Sequence, residues 1–430
     1  MQSPKTICLL NDSFPPLIDG VANAVKNYAE QITQQGNNAI VVTPKHPDAD
    51  DSGFQYPVMR YPSVDIRDKV GYLAGVPFSP ELASQISNQN VSLLHSHCPI
   101  VSTILARQLR QITNAPLVLT YHTKFDIEIS TLMHNKLLQT GSKKALIENI
   151  SACDEIWTVS NGAGESLRSL GYEGEYIVMP NGVDVPRERL SDELIYAATK
   201  GYDLPQNVPV YLFVGRMQWY KGQRLILDAL SQLSASGKNF RMIFIGDGAD
   251  REAMLTYADN LGIADRCIFT GAIHDREILR AWYCRADLFL FPSTFDTNGL
   301  VVREAAASSL ASVLIRNSCA SEGVTDGRNG FLIEENAESL AECLLSLYDS
   351  SDIVRRVGDA AARELYISWA DAVTAANDRY EIVIDNFRRG IYHSHRRPMD
   401  TLLKANGELM DDLGHLISLH KQIRQHIYHR

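Results

Sequence analysis

No stretch of this 430-residue chain approaches the roughly 20 consecutive apolar residues that a membrane-spanning helix requires. The apolar run at 6–10 meets Asp12 almost at once, so no secretory h-region can be drawn and a cytoplasmic location is expected. Cysteine is scattered (Cys8, Cys98, Cys153, Cys267, Cys284, Cys319, Cys343) and never forms CxxC, which gives neither a disulfide framework nor a zinc site; small buried hydrophobes are expected. GxxxxGK[ST] is missing, which excludes a P-loop, and GDGADRE at 246–252 lacks the third glycine of the dinucleotide fingerprint. There is no GxSxG elbow for a hydrolase nucleophile. Positive charge is also short: at a net charge of −10 no nucleic-acid partner is expected, because neutralising phosphates needs a basic face.

What is present is soluble-protein material, 45% hydrophobic and 21% charged, in a length that suits two domains with full cores. Short β-rich runs alternate with helix-period segments, the signature of βαβ units and a parallel sheet. Candidate strands of the first half are 6–11, 39–44, 91–97, 117–123, 155–160 and 176–180. Between the first two, Val21, Val25, Tyr28, Ala29 and Ile32 share one face of a helix that ends at Gly36. A polar linker at 181–206 precedes a second series at 210–215, 242–246, 268–272, 288–292, 312–316 and 330–333. Trp369, Val373, Ala376, Tyr380, Val383 and Phe387 then mark a long closing helix. Beyond Pro398 a helical stretch at 402–428 carries an apolar stripe of Leu402, Leu403, Leu409, Leu413, Leu416, Ile417, Ile423 and Ile427. This tail sets Arg388, Arg389, Arg396, Arg397, Lys404, Lys421, Arg424 and Arg430 against Asp400, Glu408, Asp411 and Asp412, a basic end on an acidic chain.

In open α/β sheets ligands bind beyond the carboxyl ends of strands, so the chemistry is sought there. NDSFPPLIDGV at 11–21 turns from a strand into a helix at Gly20, where a phosphate could approach the backbone and meet the free N–H groups of a helix start. A tight strand-to-helix turn explains the same residues. In GRMQWYKG, Arg216 and Lys221 follow a strand and precede a helix, a placement that can clamp a diphosphate from one side. Asp296 and Glu304 in FDTNGLVVREAA stand seven residues apart across a helix start, and such carboxylates accept hydrogen bonds from sugar or ribose hydroxyls. Helix-terminal charge alone would account for Asp296, less well for Glu304. His122 in TYHTKF ends a strand and could donate to a phosphate or a hydroxyl. His95 and His97 have the spacing of a metal pair without an identifiable third ligand, so no metal is expected.

Taken in order, these segments resemble the family 4 retaining glycosyltransferases. The match runs over 5–386 and includes FPPLIDGVA, HSH, TYHT, VSNGAGESL, MPNGVD, FVGRMQWYKG, FIGDGADRE, FTGAIHDREIL, the acidic pair and EGVTDGRNGFLI. The resemblance implies two Rossmann-like doubly wound domains facing across a cleft, the glycosyltransferase-B fold, with a C-terminal helical extension. Its domains would be 1–184 on the acceptor side and 205–367 for the nucleotide sugar, with 368–390 returning to the first and 391–430 as the tail. It implies a UDP-sugar donor, glucose first, held by Arg216 and Lys221 at the diphosphate, Glu304 at the ribose, Asp296 at the sugar, backbone at Gly299 and Leu300, and backbone near Ile273 at the base. Gly20 would approach the phosphate and His122 the reaction centre. Transfer would proceed with retention, without metal or cofactor, to an acceptor that the sequence does not name. This chain has Asp296 and Asn298 where the family usually has glutamate and an aromatic residue, so the sugar stays open.

Two other readings share the pattern. A non-hydrolysing sugar-nucleotide epimerase has the paired-domain fold but needs an acid and a base around the sugar. A catalytically degenerate sugar-nucleotide-binding protein would fit the altered acidic motif, against which stand Arg216, Lys221 and Glu304. The tail has two uses, as an amphipathic helix packed on the first domain or on a second subunit, or as a contact with anionic lipid at the inner membrane face, which would make the acceptor a lipid.

Overall fold

The computed structural model describes residues 3–17, 19–65, 73–122, 136–392, 400–407, 409, 410 and 413, and the backbone alone at 136–140. The chain forms two compact units, Met1–Pro180 with Trp369–Arg430, and Asn181–Ser368. Each is an α/β unit around a parallel sheet, as the alternation of strand and helix patterns requires.

The first unit orders its main sheet β3-β2-β1-β6-β7-β8-β9, with β1 Thr6–Leu10, β2 Asn38–Pro44, β3 Val58–Tyr61, β6 Val91–Ser96, β7 Leu117–Tyr121, β8 Glu155–Thr158 and β9 Ile177–Val178. A small antiparallel pair, β4 Ser63–Asp65 and β5 Leu73–Gly75, stands apart. The strands β1 and β7 are buried along their whole length, which is why TICLL and LVLTY read as continuous apolar runs instead of alternating ones. The sequence pattern does not anticipate β3 to β5, whose residues are mostly half-buried or exposed, and the strand expected at 176–180 shrinks to Ile177 and Val178. Helix α1, Gly20–Gln34, buries Val25, Tyr28, Ala29 and Ile32 as the spacing predicts, with Ala22 buried beside a half-buried Val21. Helices α2 Pro80–Ser87, α3 Val101–Thr113, α4 Lys136–Ser151 and α5 Asn161–Ser169 complete the crossovers among the described residues.

The second unit opens with α6, Asp192–Thr199, and builds the order β12-β11-β10-β13-β14-β15 from β10 Val210–Val214, β11 Arg241–Ile245, β12 Cys267–Gly271, β13 Leu288–Phe291, β14 Ser312–Ile315 and β15 Phe331–Ile333. Every pairing is parallel. Its order reverses between β10 and β13, the switch point where a doubly wound sheet leaves a crevice. The helices are α7 Gln223–Ala235, α8 Arg251–Asn260, α9 Arg276–Arg285, α10 Leu300–Ala307, α11 Ala337–Leu347 and α12 Ser351–Glu364. The segment GDGADRE has a packing reason for its glycine: Gly246 sits at φ +137, and a Cβ there would fall 1.9 Å from the Gly215 carbonyl oxygen. The two glycine-rich loops thus lie backbone against backbone.

Helix α13, Trp369–Arg388, returns to the first unit. Tyr380 stacks on Trp157 with ring centroids 5.2 Å apart, and Arg379 grips Glu155 through two bonds of 2.9 and 2.7 Å. The helical stretch from Asp400 also packs there, as one reading of the tail expected, but of the expected leucine stripe only Leu403 is buried among the described residues. Asp400, Leu403, Gly407 and Met410, at three- and four-residue steps, are its buried positions, whereas Leu402, Leu409 and Leu413 are exposed. The reason is electrostatic as well as apolar: buried Arg107 and Arg110 on α3 need a carboxylate, and Asp400 supplies it. Leu416, Ile417, Ile423 and Ile427 lie outside the described residues.

Candidate functional site

The second unit brings together most of the predicted residues around its switch point. The loop after β10 carries Arg216, whose guanidinium is exposed and has no hydrogen-bond partner among the described residues. Five residues on, a 3-10 turn at Trp219–Lys221 drives Lys221 inward, so its side chain is only 9% exposed. Lys221 Nζ donates to Asp296 Oδ1 at 2.6 Å and lies 5.8 and 5.5 Å from the ring centres of Tyr220 and Phe295. Gly222 makes this possible. It sits at φ +88, and a Cβ would lie 2.1 Å from the carbonyl oxygen of Pro292, so only glycine lets the loop after β10 press against the loop after β13.

Asp296 is held on both sides, since Ser293 Oγ donates to its Oδ2 at 2.6 Å. Ser293 carries no motif, and only its position three residues before the carboxylate could have pointed to it. Asn298 has both amide atoms buried without a partner. Gly299, at φ +55, caps α10, and the N–H groups of Leu300 and Val301 have no intrahelical acceptor, whereas Val302 N already donates to the Gly299 carbonyl at 2.8 Å. Glu304 stands one turn inside α10. Buried Tyr283 on α9 donates to its Oε2 at 2.9 Å, leaving Oε1 without a partner among the described residues, and burial raises the Glu304 pKa above the ordinary carboxylate range. Tyr283 had no sequence signal, being 21 residues away on another helix. Ile273, half-buried after β12, packs against the same core. A groove of about 1030 Å³ opens at the opposite ends of β10 and β13, beside Arg189, Asp287 and Arg355, and contains none of these residues.

The first unit holds Gly20 and His122. The helix start at Gly20 is not the set of free N–H groups expected: the Asp19 carboxylate accepts from Val21 N at 2.8 Å and Ala22 N at 2.7 Å, so an acidic cap already occupies it. Gly20 keeps open space where a Cβ would stand. His122, just past β7, is buried, and its Nε2 lies 3.0 Å from His97 Nδ1. His95 has both ring nitrogens engaged, by Tyr380 Oη at 2.6 Å and Thr120 Oγ1 at 2.7 Å, and is a satisfied structural residue. Burial pushes His122 down to about 3 and lowers His95 and His97 well below the usual histidine range, so all three rings are neutral near pH 7. The rest of TYHTKF, from residue 123, lies outside the described residues. Among those residues no group of three or more histidine, cysteine, aspartate or glutamate side chains is arranged to hold a metal ion. No described helix is long and apolar enough to cross a membrane.

Known proteins match both units. The model of glycosyl transferases group 1 matches residues 198–364, and that of glycosyltransferase family 4 matches 18–187. The chain is 26% identical over 341 residues to the GDP-mannose-dependent alpha-mannosyltransferase of Corynebacterium glutamicum, covering 77% of each protein. It is 22% identical over 397 residues to the alpha-monoglucosyldiacylglycerol synthase of Streptococcus pneumoniae, covering 88% of this chain and 89% of that one. Its fold is similar to that of Anabaena Alr3699/HepE in complex with UDP, with a TM-score of 0.69 at 18% identity, over 87% of this chain and 99% of the other.

Proposed function

The chain belongs to the family 4 glycosyltransferases of the glycosyltransferase-B fold, enzymes that use nucleotide-sugar donors, and from that premise we propose that it transfers a hexosyl group from a UDP-sugar, with retention and without a metal. The observation that carries this reading is the buried Lys221 beside Asp296, with unpaired Arg216 on the same loop, at the switch point of the second sheet. An ammonium has three donors, so one can stay on Asp296 while two face a diphosphate. A carboxylate offers about four acceptor positions, so Asp296 can still take a sugar hydroxyl after Lys221 and Ser293 are counted. In this reading Glu304 Oε1 takes a ribose hydroxyl, the α10 backbone at Gly299 and Leu300 the phosphate or sugar, and the backbone near Ile273 the base. For Gly20 and His122, on the first unit, the roles at the phosphate and the reaction centre rest on the family resemblance alone.

Front-face attack fits this set of groups. The anomeric carbon loses its bond to the diphosphate oxygen as the acceptor oxygen bonds on the same face, and the acceptor proton passes to the departing phosphate. Catalysis then rests on cations aimed at the leaving group and on positioning, with no dedicated side-chain base. A panel of UDP- and GDP-sugars, GDP-mannose included because one relative is named for it, is expected to give nucleotide release that persists in EDTA and disappears in Arg216→Ala. Release abolished by chelation would sink the metal-independent mechanism. Release indifferent to Arg216 would move the donor site elsewhere.

The relative named for diacylglycerol and the basic tail support a lipid acceptor reached by peripheral membrane contact. Leu402 and Leu409, 73% and 51% exposed on the helix whose other face is buried, are the groups to insert. Vesicles containing anionic lipid are expected to retain the protein in sedimentation, and Leu402→Glu with Leu409→Glu to release it. Unchanged retention in that variant, or a dimer that the substitutions split, would assign the leucines to something other than lipid.

A further inference from the structure

We infer that His97 is a positioning residue that fixes His122 as the tautomer protonated on Nδ1, which makes the free edge of His122 a hydrogen-bond donor and not a base. The inference rests on the transferase reading for its consequence, but on geometry for its content. His97 and His122 are joined by one contact, Nδ1 to Nε2 at 3.0 Å, and both rings are neutral. One ring must donate and the other accept. His97 is 1% exposed and its Nε2 is sealed from solvent without a partner.

Two arrangements satisfy the contact. If His122 donated from Nε2, His97 would carry its own proton on Nε2, a buried N–H with no acceptor. If His97 donates from Nδ1, its Nε2 is a bare lone pair. Orphaned buried N–H groups are the rarer and costlier case, so the second arrangement wins. His122 then accepts at Nε2 and holds its proton on Nδ1, which has no partner among the described residues but, unlike His97 Nε2, is not sealed from solvent. A neutral donor suits a sugar hydroxyl or a phosphate oxygen. It also leaves the departing phosphate as the group that takes the acceptor proton. His95, two residues before His97 on the same strand, cannot compete for the role because Tyr380 and Thr120 occupy both its nitrogens.

The test is a long-range ¹H–¹⁵N correlation spectrum of histidine-labelled full-length protein near neutral pH, with the His122 signals identified by their loss in His122→Phe. A protonated, pyrrole-type Nδ1 and a bare Nε2 are expected; the opposite pattern overturns the assignment. In parallel, His97→Phe is expected to lower kcat by about 10-fold or more, the scale on which orienting hydrogen bonds act, with KM for the donor unchanged. His97→Asn, whose Nδ2–H can stand in for the Nδ1 donor, should recover most of that loss. His97→Asp offers an acceptor at the same place, draws the His122 proton to Nε2, and should not recover. Aspartate performing as well as asparagine would reduce His97 to packing. The spectrum needs no turnover: the expected tautomer in a protein silent toward every nucleotide sugar would refute the transferase reading and leave the His97 assignment standing.

Discussion

Replacing Lys221 with alanine is expected to lower kcat/KM for the nucleotide sugar by roughly 10²–10³, the loss typical of removing one preorganised group from a developing negative charge. The ammonium is nearly enclosed, its side chain 9% exposed, so its field is little screened by water. It is also already in place, gripped by Asp296 at 2.6 Å, so no reorganisation is needed as the diphosphate leaves. The loss has two sources. One is the missing cation; the other is Asp296, which would then face the diphosphate with its charge uncompensated. Because Asp296 also serves the sugar, the double variant Lys221→Ala with Asp296→Ala is expected to lose less than the product of the two single losses, a non-additivity that initial rates of UDP or GDP release can measure. Arginine is expected to be a poor substitute, because a longer planar fork must replace a compact ammonium that lies between Asp296 and the rings of Tyr220 and Phe295. A single alanine variant within threefold of the parent would remove Lys221 from the chemistry.

The same site explains what could be read from the chain and what could not. Arg216 and Lys221 belong to one strand-end loop, Asp296 and Glu304 to another, and the sequence shows each as a local motif. What joins them is the sheet order, in which β10 and β13 are neighbours although β11 and β12 lie between them in the chain. Local pattern supports the parallel, doubly wound class because strands buried on both faces read as apolar runs. The partners that set each side chain are another matter. Tyr283 reaches Glu304 from a different helix, and Tyr380 reaches His95 across 285 residues. No periodicity encodes such pairs. At Gly20 the local rule left out a local neighbour: the carboxylate of Asp19, one residue earlier in the same motif, already accepts from the N–H groups of Val21 and Ala22. In the tail, packing on the first unit was legible and its anchor was not. Its basic composition draws attention to lysine and arginine, while the residue that seats it is one of its few acids.

That acid gives the second large effect. Asp400→Ala is expected to destabilise the first unit by about 3–5 kcal/mol, the cost of leaving buried cations without their counter-charge. Arg107 places Nε at 2.9 Å and Nη2 at 2.8 Å from Asp400 Oδ1, and Arg110 Nη2 lies 3.5 Å from Oδ2. Without Asp400, Arg107 keeps, among the described residues, only the neutral Asn149 Oδ1 at 3.1 Å, whereas Arg110 retains the Ala152 carbonyl and Asp154. The asymmetry makes a sharper test than the single loss. Arg107→Met combined with Asp400→Leu removes the pair together and fills its space with apolar atoms, so it should regain most of the stability lost in Asp400→Ala. In a melt of the full chain the single variant should shift the first unit's transition down by roughly 6–20 °C, at about 2–4 °C per kcal/mol for a unit of this size. A shift of a degree or less would mean that the tail is an ornament on α3. The expected shift would make residues 400–410 part of the domain, and it would separate their two faces: a carboxylate and Met410 that hold the helix down, and leucines that remain exposed because nothing in the fold requires them inside.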